Sequence, residues 1–322
     1  AFEGRRLLRL GLWIGLLQLA ASAGLILAAR VVGRLIPTGQ IVPIVVYDNP
    51  VVVLVDTERH LMGYRPRGST VVFDAAVSPD QQWIAYSRSD GRRVQVFLSG
   101  LYGTDEQQLT PGELGGDSPA WSPDGSQIAF VATEDAKRNL YRMAARPGAE
   151  PVQLLEGGNV ATPAWSPDGK ALILAASRFS NLADLYLLAD ASCAAECEAE
   201  LREITSTLVI DTQPIWSPDG SQIAFLSDRS GNYEIYTLPT DCFAPGETCI
   251  GQNPRRLRIN RLAIPFFLVW SFDASQLYFR AWDMRANQPG LYRIQTDCFS
   301  RSEGCRAEII YNLGTIISQT AR

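Results

Sequence analysis

The amino-acid sequence predicts an all-β fold, a six-bladed β-propeller preceded by one transmembrane α-helix. A short motif that recurs five times after residue 70 predicts the propeller, and an uncharged apolar stretch near the N-terminus predicts the helix. Repeats at a spacing of several strands are typical of propeller blades, so each blade is expected to hold four strands.

The repeated motif reads Trp-Ser-Pro-Asp-Gly in its clearest copies. Its copies are PAWSPDGSQIAF from Pro119, PAWSPDGKALIL from Pro163, PIWSPDGSQIAF from Pro214, and the looser VSPDQQWIAY from Val77 and WSFDASQLYF from Trp270. Proline fixes φ, aspartate hydrogen-bonds to nearby backbone and glycine accepts positive φ, so each copy predicts a β-hairpin. The repeated tryptophans are expected to fill the wedge between blades.

The spacing of the copies and the two chain ends predict the number of blades. The step from Val77 to Trp121 and on to Trp165 is 44 residues, close to the length of one four-stranded blade. Strands are expected at residues 41–47, 51–55 and 59–65, and residues 315–319 are expected to add the inner strand of the same blade. This shared last blade, closed by N- and C-terminal strands, removes free sheet edges and makes six blades in all.

The apolar stretch from Leu10 to Ala29 contains no charged residue. As a helix it would span about 30 Å, the thickness of the hydrocarbon core. Residues 1–30 are therefore expected to be a retained anchor, residues 31–40 a linker, and residues 41–322 the propeller. The flanking arginines favour a cytoplasmic N-terminus, with the propeller on the periplasmic or extracellular side. Small residues on two helix faces are typical of close packing against neighbouring membrane helices, and they are Gly11, Gly15, Ala20, Gly24 and Ala28.

Six cysteines form three local pairs between the expected third and fourth strands of successive blades. The pairs are Cys193 with Cys197, Cys242 with Cys249, and Cys298 with Cys305. An even number in close pairs favours disulfides, and therefore an oxidising compartment outside the cytoplasm. Zinc ligation is the alternative, but the pairs lie in separate repeats with no histidine nearby. As disulfides they are expected to be staples on exposed outer hairpins.

These repeats resemble the WD-like β-propeller repeat of the TolB family. The resemblance rests on the Pro-x-Trp-Ser-Pro-Asp-Gly-x-x-Ile-Ala-Phe run and on the SDRSGNYEIY segment at residues 227–236, and it covers roughly residues 40–322. It implies a six-bladed periplasmic ring that acts mainly through protein contacts. A predicted membrane helix stands where TolB-type proteins carry a separate α/β domain.

Catalytic and cofactor chemistry is not predicted. The formal net charge of −5 and the pI near 5.1 argue against nucleic-acid binding. Gly-x-Ser-x-Gly is absent, and a Ser-His-Asp triad would have to use His60, the only histidine, so triad chemistry is not expected. The aspartates of the motif are explained as turn formers, and no metal or cofactor site is predicted. Three other aspartates near the channel end of the inner strands are candidates for lining a central pocket, namely Asp74, Asp117 and Asp211.

The function predicted from these features is that of a non-catalytic interaction or scaffold subunit of a membrane protein complex. Its expected partners are other membrane subunits, contacted through the helix and the propeller surface, together with membrane lipid. The alternative is a small-ligand-binding or enzymatic propeller with its site at the central channel, which would require convergent polar groups at one mouth.

Overall fold

The computed structural model describes residues 40–46, 51–56, 61–64, 71–89, 91–101, 103–178, 182–193, 201–257, 259, 262–300 and 305–313. A three-stranded sheet comes first, with β1 (Ile41–Val46), β2 (Val51–Asp56) and β3 (Leu61–Tyr64). Blade one contains β4 (Val72–Val77), β5 (Trp83–Ser89), β6 (Val94–Gly100) and β7 (Gln107–Gln108). Blade two contains β8 (Asp117–Trp121), β9 (Gln127–Glu134), β10 (Lys137–Ala144) and β11 (Val152–Leu155).

The later blades repeat this order. Blade three contains β12 (Ala161–Trp165), β13 (Leu172–Ala176), β14 (Asp184–Leu188) and β15 (Leu201–Glu203). Blade four contains β16 (Asp211–Trp216), β17 (Gln222–Ser227), β18 (Glu234–Pro239) and β19 (Arg255–Arg256). Blade five contains β20 (Leu262–Trp270), β21 (Gln276–Asp283), β22 (Gln288–Gln295) and β23 (Glu308–Asn312). Two 3₁₀ turns, Asp241–Phe243 and Thr296–Ser300, follow the third strands of blades four and five.

The prediction of a propeller with six four-stranded blades is wrong. The described residues form five four-stranded antiparallel blades, and β1–β3 form a sheet of three strands, not a closed sixth blade. No helix among the described residues is long and apolar enough to cross a membrane. The predicted anchor (residues 1–30), most of the linker, His60 and the predicted closing strand (residues 315–319) lie outside the described residues.

The first strands of successive blades contact one another, from β4 through β8, β12 and β16 to β20. They therefore line the centre of the propeller. The three-stranded sheet packs on the blades on both of its sides: Val52 and Leu54 share a core with Ile84 of blade one, and Val42 shares another with Leu291 of blade five. Gln40 adds two hydrogen bonds to blade five, from its Nε2 to Trp270 O at 2.7 Å and from Phe272 N to its Oε1 at 3.1 Å.

Each repeated turn is held by a serine and an aspartate, as the motif predicts. In blade two, Ser122 Oγ donates to Asp124 Oδ1 at 2.6 Å and accepts from Gln127 N at 2.9 Å, while Asp124 Oδ1 accepts from Ser126 N at 3.0 Å. The other four turns repeat the serine–aspartate bond at 2.5–2.6 Å. These hydrogen bonds account structurally for the aspartate that recurs in every blade.

The same motif also joins each blade to the one before it. Trp121 Nε1 donates to Ala76 O of blade one at 3.0 Å, and Trp165 Nε1 donates to Ala120 O of blade two at 3.1 Å. A Cβ on Gly169 would lie 3.4 Å from Pro123 of the preceding turn, so adjacent turns are stacked closely. The repeat is therefore a connector between blades as well as a hairpin turn.

We define two faces of the propeller from this topology. The turn face carries the Ser-Pro-Asp turns and the connections between third and fourth strands, including the cysteine loops. The strand-start face is the opposite end, where the inner strands begin and where the β9–β10, β17–β18 and β21–β22 hairpins lie.

Replacing Asp124 by alanine is expected to destabilise the fold by about 1 kcal/mol, because an exposed charged acceptor of three hydrogen bonds is lost from one turn of five. Hydrogen bonds from Ser122 and Ser126 lower the pKa of Asp124 to about 2. A lowered carboxyl pKa means that this stabilisation is complete above the unfolded value, about 3.9, and is lost as the pH falls toward 2.

The measurement is urea unfolding at pH 7 and pH 3 for the wild type, Asp124→Ala and Asp124→Asn. The asparagine variant keeps an acceptor oxygen and should lose less stability than the alanine variant. Equal stability of the wild type and Asp124→Ala at pH 7 would contradict this account of the turn.

Candidate functional site at the strand-start mouth of the channel

The three aspartates predicted to line the central channel all lie in inner strands. Asp74 is in β4, Asp117 opens β8 and Asp211 opens β16. Two of them share a partner, because Ser118 Oγ lies 2.9 Å from Asp117 Oδ1 and 3.4 Å from Asp74 Oδ2. Asp211 belongs to a separate network in blade four. The three do not converge on one point as a single acidic ring would.

Asp117 is engaged by Arg138 of the third strand of the same blade. Arg138 Nη2 donates to Asp117 Oδ1 at 2.8 Å and its Nη1 donates to Oδ2 at 3.0 Å, a bidentate geometry. Arg138 Nε also donates to Val160 O at 3.0 Å, in the connection to blade three. This ion pair ties the inner strand of blade two to the start of the next blade.

Asp211 has no exposed surface and is paired with Arg229. Arg229 Nη2 lies 2.9 Å from both carboxylate oxygens, and its guanidinium carbon stands 4.9 Å from the centre of the Tyr236 ring. Thr207 Oγ1 bridges Asp211 Oδ2 at 3.4 Å and Asp184 Oδ1 at 3.2 Å. Burial raises the pKa of Asp184, and the charge of Asp211 adds to that effect. The network is a buried joint between blades three and four.

Asp74 is the least compensated of the three. Burial raises the pKa of its carboxyl, and the neighbouring charge of Asp117 raises it further, while hydrogen bonds from Ser118 and the more distant Arg138 lower it. The two carboxylates near Ser118 therefore differ in how their charge is compensated. Asp117 is paired with an arginine, whereas the raised pKa of Asp74 favours its protonated, neutral form.

Four inner strands carry a residue in the left-handed backbone region at one equivalent position, three residues before the repeat tryptophan. These residues are Ser118 (φ 52°), Thr162 (φ 46°), Gln213 (φ 50°) and Phe267 (φ 59°), and we call them the left-handed ring. At each of them the pairing with the second strand of the blade shifts register. Non-glycine residues in this region cost on the order of 1–3 kcal/mol each, so the same local strain is built into four blades.

Three members of the left-handed ring are polar, and they lie near the start of their inner strands. Ser118 contacts Asp74 of the preceding blade, and Gln213 Oε1 accepts a hydrogen bond from Phe267 N of the following blade at 2.8 Å. Thr162 Oγ1 is buried without a hydrogen-bond partner among the residues described. The sequence offered one signal for three of the four members, a polar residue before the proline in x-Pro-x-Trp, but the bulge that turns the backbone there cannot be inferred from residue type.

A cleft of about 820 Å³ lies on the strand-start face beside this region, lined by residues of blades one and two. Its wall includes the Asp117–Arg138 ion pair, the 111–116 connection and the β9–β10 hairpin. Within the described part of the chain, no group of three or more His, Cys, Asp or Glu side chains is placed to hold a metal ion.

The five described cysteines lie on the turn face, away from the channel mouth. Cys242 is bonded to Cys249 and Cys298 to Cys305, with Cα atoms 5.0 and 5.2 Å apart. Cys193 is also disulfide-bonded, and Cys197 lies outside the described residues. All four cysteines of the two described bonds are buried, while residues 244–248 between Cys242 and Cys249 are exposed.

Comparison with known proteins identifies the type of propeller. Residues 118–255 match the family described as the TolB beta propeller domain. The Tol-Pal system protein TolB of Bordetella pertussis is 35% identical over 159 residues, which are 49% of this chain and 35% of that protein. The chain thus spans about a third of the length of the curated relatives it matches. The predicted resemblance to TolB-like propellers is confirmed.

Solved structures show the same fold at low identity. TolB from Acinetobacter baumannii superposes with a TM-score of 0.65 at 19% identity, covering 84% of this chain and 66% of that one. An oligogalacturonate lyase from Vibrio parahaemolyticus superposes with a TM-score of 0.53 at 15% identity, covering 84% and 78%. Both likenesses show the fold alone, and the second belongs to an enzyme.

Replacing Arg229 by alanine is expected to cost about 3 kcal/mol of unfolding free energy, because it leaves the fully buried Asp211 carboxylate without its cation. Urea unfolding at pH 7 measures the loss. The double variant Asp211→Asn with Arg229→Ala should recover part of it, since the uncompensated charge is removed. Lys137→Ala, which breaks the exposed pair with Glu156, is the control and should change stability by less than about 0.5 kcal/mol. Equal losses in the two single variants would contradict a buried joint.

Replacing Asp74 by asparagine is expected to leave the protein at least as stable at neutral pH. The folded pKa of Asp74 is raised, so the folded state binds this proton more tightly and its contribution to stability increases as the pH falls through that pKa. Urea unfolding of the wild type and Asp74→Asn at pH 7 and pH 4 tests the sign. An Asp74→Asn variant that is less stable than the wild type by the same amount at pH 7 and at pH 4 would contradict the predicted sign.

Proposed function

We propose that this TolB-like propeller is an extracytoplasmic protein-interaction module and that it does not itself catalyse a reaction. The observation that carries the proposal is the use of the repeated polar groups. The serine and aspartate of every turn are bonded to each other, and the arginines beside Asp117 and Asp211 are committed to those aspartates. The repeated polar groups therefore stabilise the propeller itself, and we expect binding at the places where the blades differ.

Exposed apolar side chains in the irregular segments support an interaction role. On the strand-start face, Leu208 is 92% exposed and Met284 is 66% exposed, and Trp282 beside Met284 is 40% exposed. Large exposed apolar groups are typical of protein contacts, although the turn face exposes Ile250 and Phe272 as well. The left-handed ring and the cleft open on the strand-start face, so we assign the partner to that face.

An oxidising compartment is supported by the disulfides. Cys242–Cys249 and Cys298–Cys305 are both formed, and structural disulfides persist outside the cytoplasm. The matched relatives are named for the Tol-Pal system. From them we take only the interaction role, since the match spans about a third of their length.

The alternative of a small ligand at the central channel stays a prediction. The observation in its favour is the left-handed ring, because strained non-glycine residues cluster at binding and catalytic sites. Saturable small-molecule binding that Gln213→Ala abolishes, with no effect of changes at Leu208, would favour this alternative over a protein partner.

The interaction proposal is tested by purifying the tagged full-length chain from its native cells in mild detergent. We expect a protein partner at stoichiometric yield, and we expect the paired change Leu208→Asp with Met284→Asp to weaken its binding about tenfold or more. The matched control changes two exposed apolar residues of the turn face, Ile250→Asp with Phe272→Asp, and should leave binding intact.

Two outcomes would contradict the proposal. A chain that purifies alone under these conditions has no stable partner of the proposed kind. Equal loss of binding in both paired variants would show that the partner does not recognise the strand-start face.

A further inference from the structure

We propose that the disulfide-closed loops of blades four and five are clasps that hold each of these blades to the blade before it, and that their grip requires the oxidised state. The proposal is independent of which partner the propeller binds. It rests on contacts on the turn face that the repeat motif does not predict.

The loops of blades four and five are built alike. Each begins Thr-Asp-Cys-Phe, at Thr240 and at Thr296, and its second cysteine lies seven residues after the first. Each threonine fastens the loop to the repeated turn of its own blade, with Thr240 Oγ1 bonded to Gly220 O at 2.5 Å and Thr296 Oγ1 bonded to Ala274 O at 2.8 Å.

The phenylalanine of each loop is directed onto the repeat tryptophan of its own blade. Phe243 meets Trp216 edge to face with ring centres 5.2 Å apart, and Phe299 meets Trp270 at 5.8 Å. Both phenylalanines are buried. Because the disulfide begins at the residue before the phenylalanine, it fixes the backbone that presents this ring.

The tryptophans beneath these loops differ from those of blades two and three. Trp121 and Trp165 hold the preceding blade through an Nε1 hydrogen bond, whereas the Nε1 atoms of Trp216 and Trp270 are buried without a hydrogen-bond partner in the part of the chain that the structure describes. The joints before blades four and five thus lack the link that the motif supplies elsewhere.

A contact from the preceding blade to each cysteine loop supplies a link in its place. Arg202 of β15 in blade three donates to the carbonyl oxygens of Phe243 and Ala244. Ile259, which follows β19 of blade four, forms a parallel β-bridge with Cys305 of blade five.

The joint before blade three has such a contact as well. Arg142 of β10 in blade two donates to Ser192 O at 2.9 Å and lies 3.5 Å from Cys193 O. The start of the blade three connection, at Ser192 and Cys193, is therefore also contacted by the blade before it.

The disulfides themselves are buried in these joints. Cys242, Phe243 and Cys249 share one core with Ile173 and Leu185 of blade three. Cys298, Phe299 and Cys305 share another with Leu257 of blade four. A disulfide-reducing dithiol would transfer two electrons and two protons to each disulfide, giving two cysteine thiols and an oxidised dithiol. The loop would then be free to withdraw both the phenylalanine and the carbonyl groups that the preceding blade contacts.

A double-mutant cycle tests the clasp at blade four. Arg202→Ala is expected to raise the unfolding equilibrium constant about tenfold in the oxidised protein, and by less than about threefold when Cys242→Ser and Cys249→Ser are both present. The matched control is Arg293→Ala, which breaks a surface pair with Glu308 and should have the same effect with or without these cysteines. Equal effects of Arg202→Ala in both backgrounds would overturn the proposal.

A second measurement uses the wild-type chain, in case the serine variants do not fold. Amide hydrogen exchange is recorded before and after treatment with dithiothreitol, with reduction verified by mass. We expect faster exchange in residues 240–250 and also in β15 of the preceding blade. Faster exchange confined to the loop, with β15 unchanged, would show a local staple and overturn the clasp.

Discussion

The joint between neighbouring blades is the constraint on which the rest of this structure depends. A single four-stranded blade exposes two faces and cannot bury either one alone, so its stability comes from the next blade. The buried clusters accordingly mix residues of adjacent blades, such as Val131 of blade two with Leu174 of blade three. What looks like a local turn motif, Trp-Ser-Pro-Asp-Gly, is also the device that makes this joint, through the indole N–H and the stacked proline and glycine of consecutive turns.

The repeat explains how much of the fold could be predicted from the sequence. The hairpin turns, the four-stranded blades and the inner position of the motif strand follow from residues such as Asp124 and Gly125, whose conformations are set within a few neighbours. The number of blades does not follow, because ring closure depends on how the first and last strands meet, and no local pattern encodes that. The three-stranded sheet β1–β3 is where the prediction of a sixth blade, shared between the two chain ends, was wrong.

The candidate site was only partly predictable for a related reason. Asp74, Asp117 and Asp211 lie in the inner strands, since strand position follows from the repeat, and their role as channel-lining residues stays a prediction. Their partners are Ser118, Arg138 and Arg229, and they come from other strands or other blades. The left-handed ring was missed because a bulge is a property of two paired strands. The spacing of the repeats places the three aspartates in the inner strands. The contacts between strands and between blades determine which of them are paired with an arginine.

The cysteine loops of blades four and five depart from the repeat, and they have a structural role of their own. Blades four and five have longer connections on the turn face, and their tryptophans have no hydrogen bond of the kind that Trp121 makes among the residues that the structure describes. A longer loop alone would weaken such a joint, since its ordering costs conformational entropy. Closing the loop with a disulfide lowers that cost, and the phenylalanine beside the cysteine then adds an aromatic contact to the tryptophan. Arg202 and Ile259 complete the connection from the preceding blade. The burial of all four cysteines agrees with this arrangement, because a clasp must lie inside the joint that it holds.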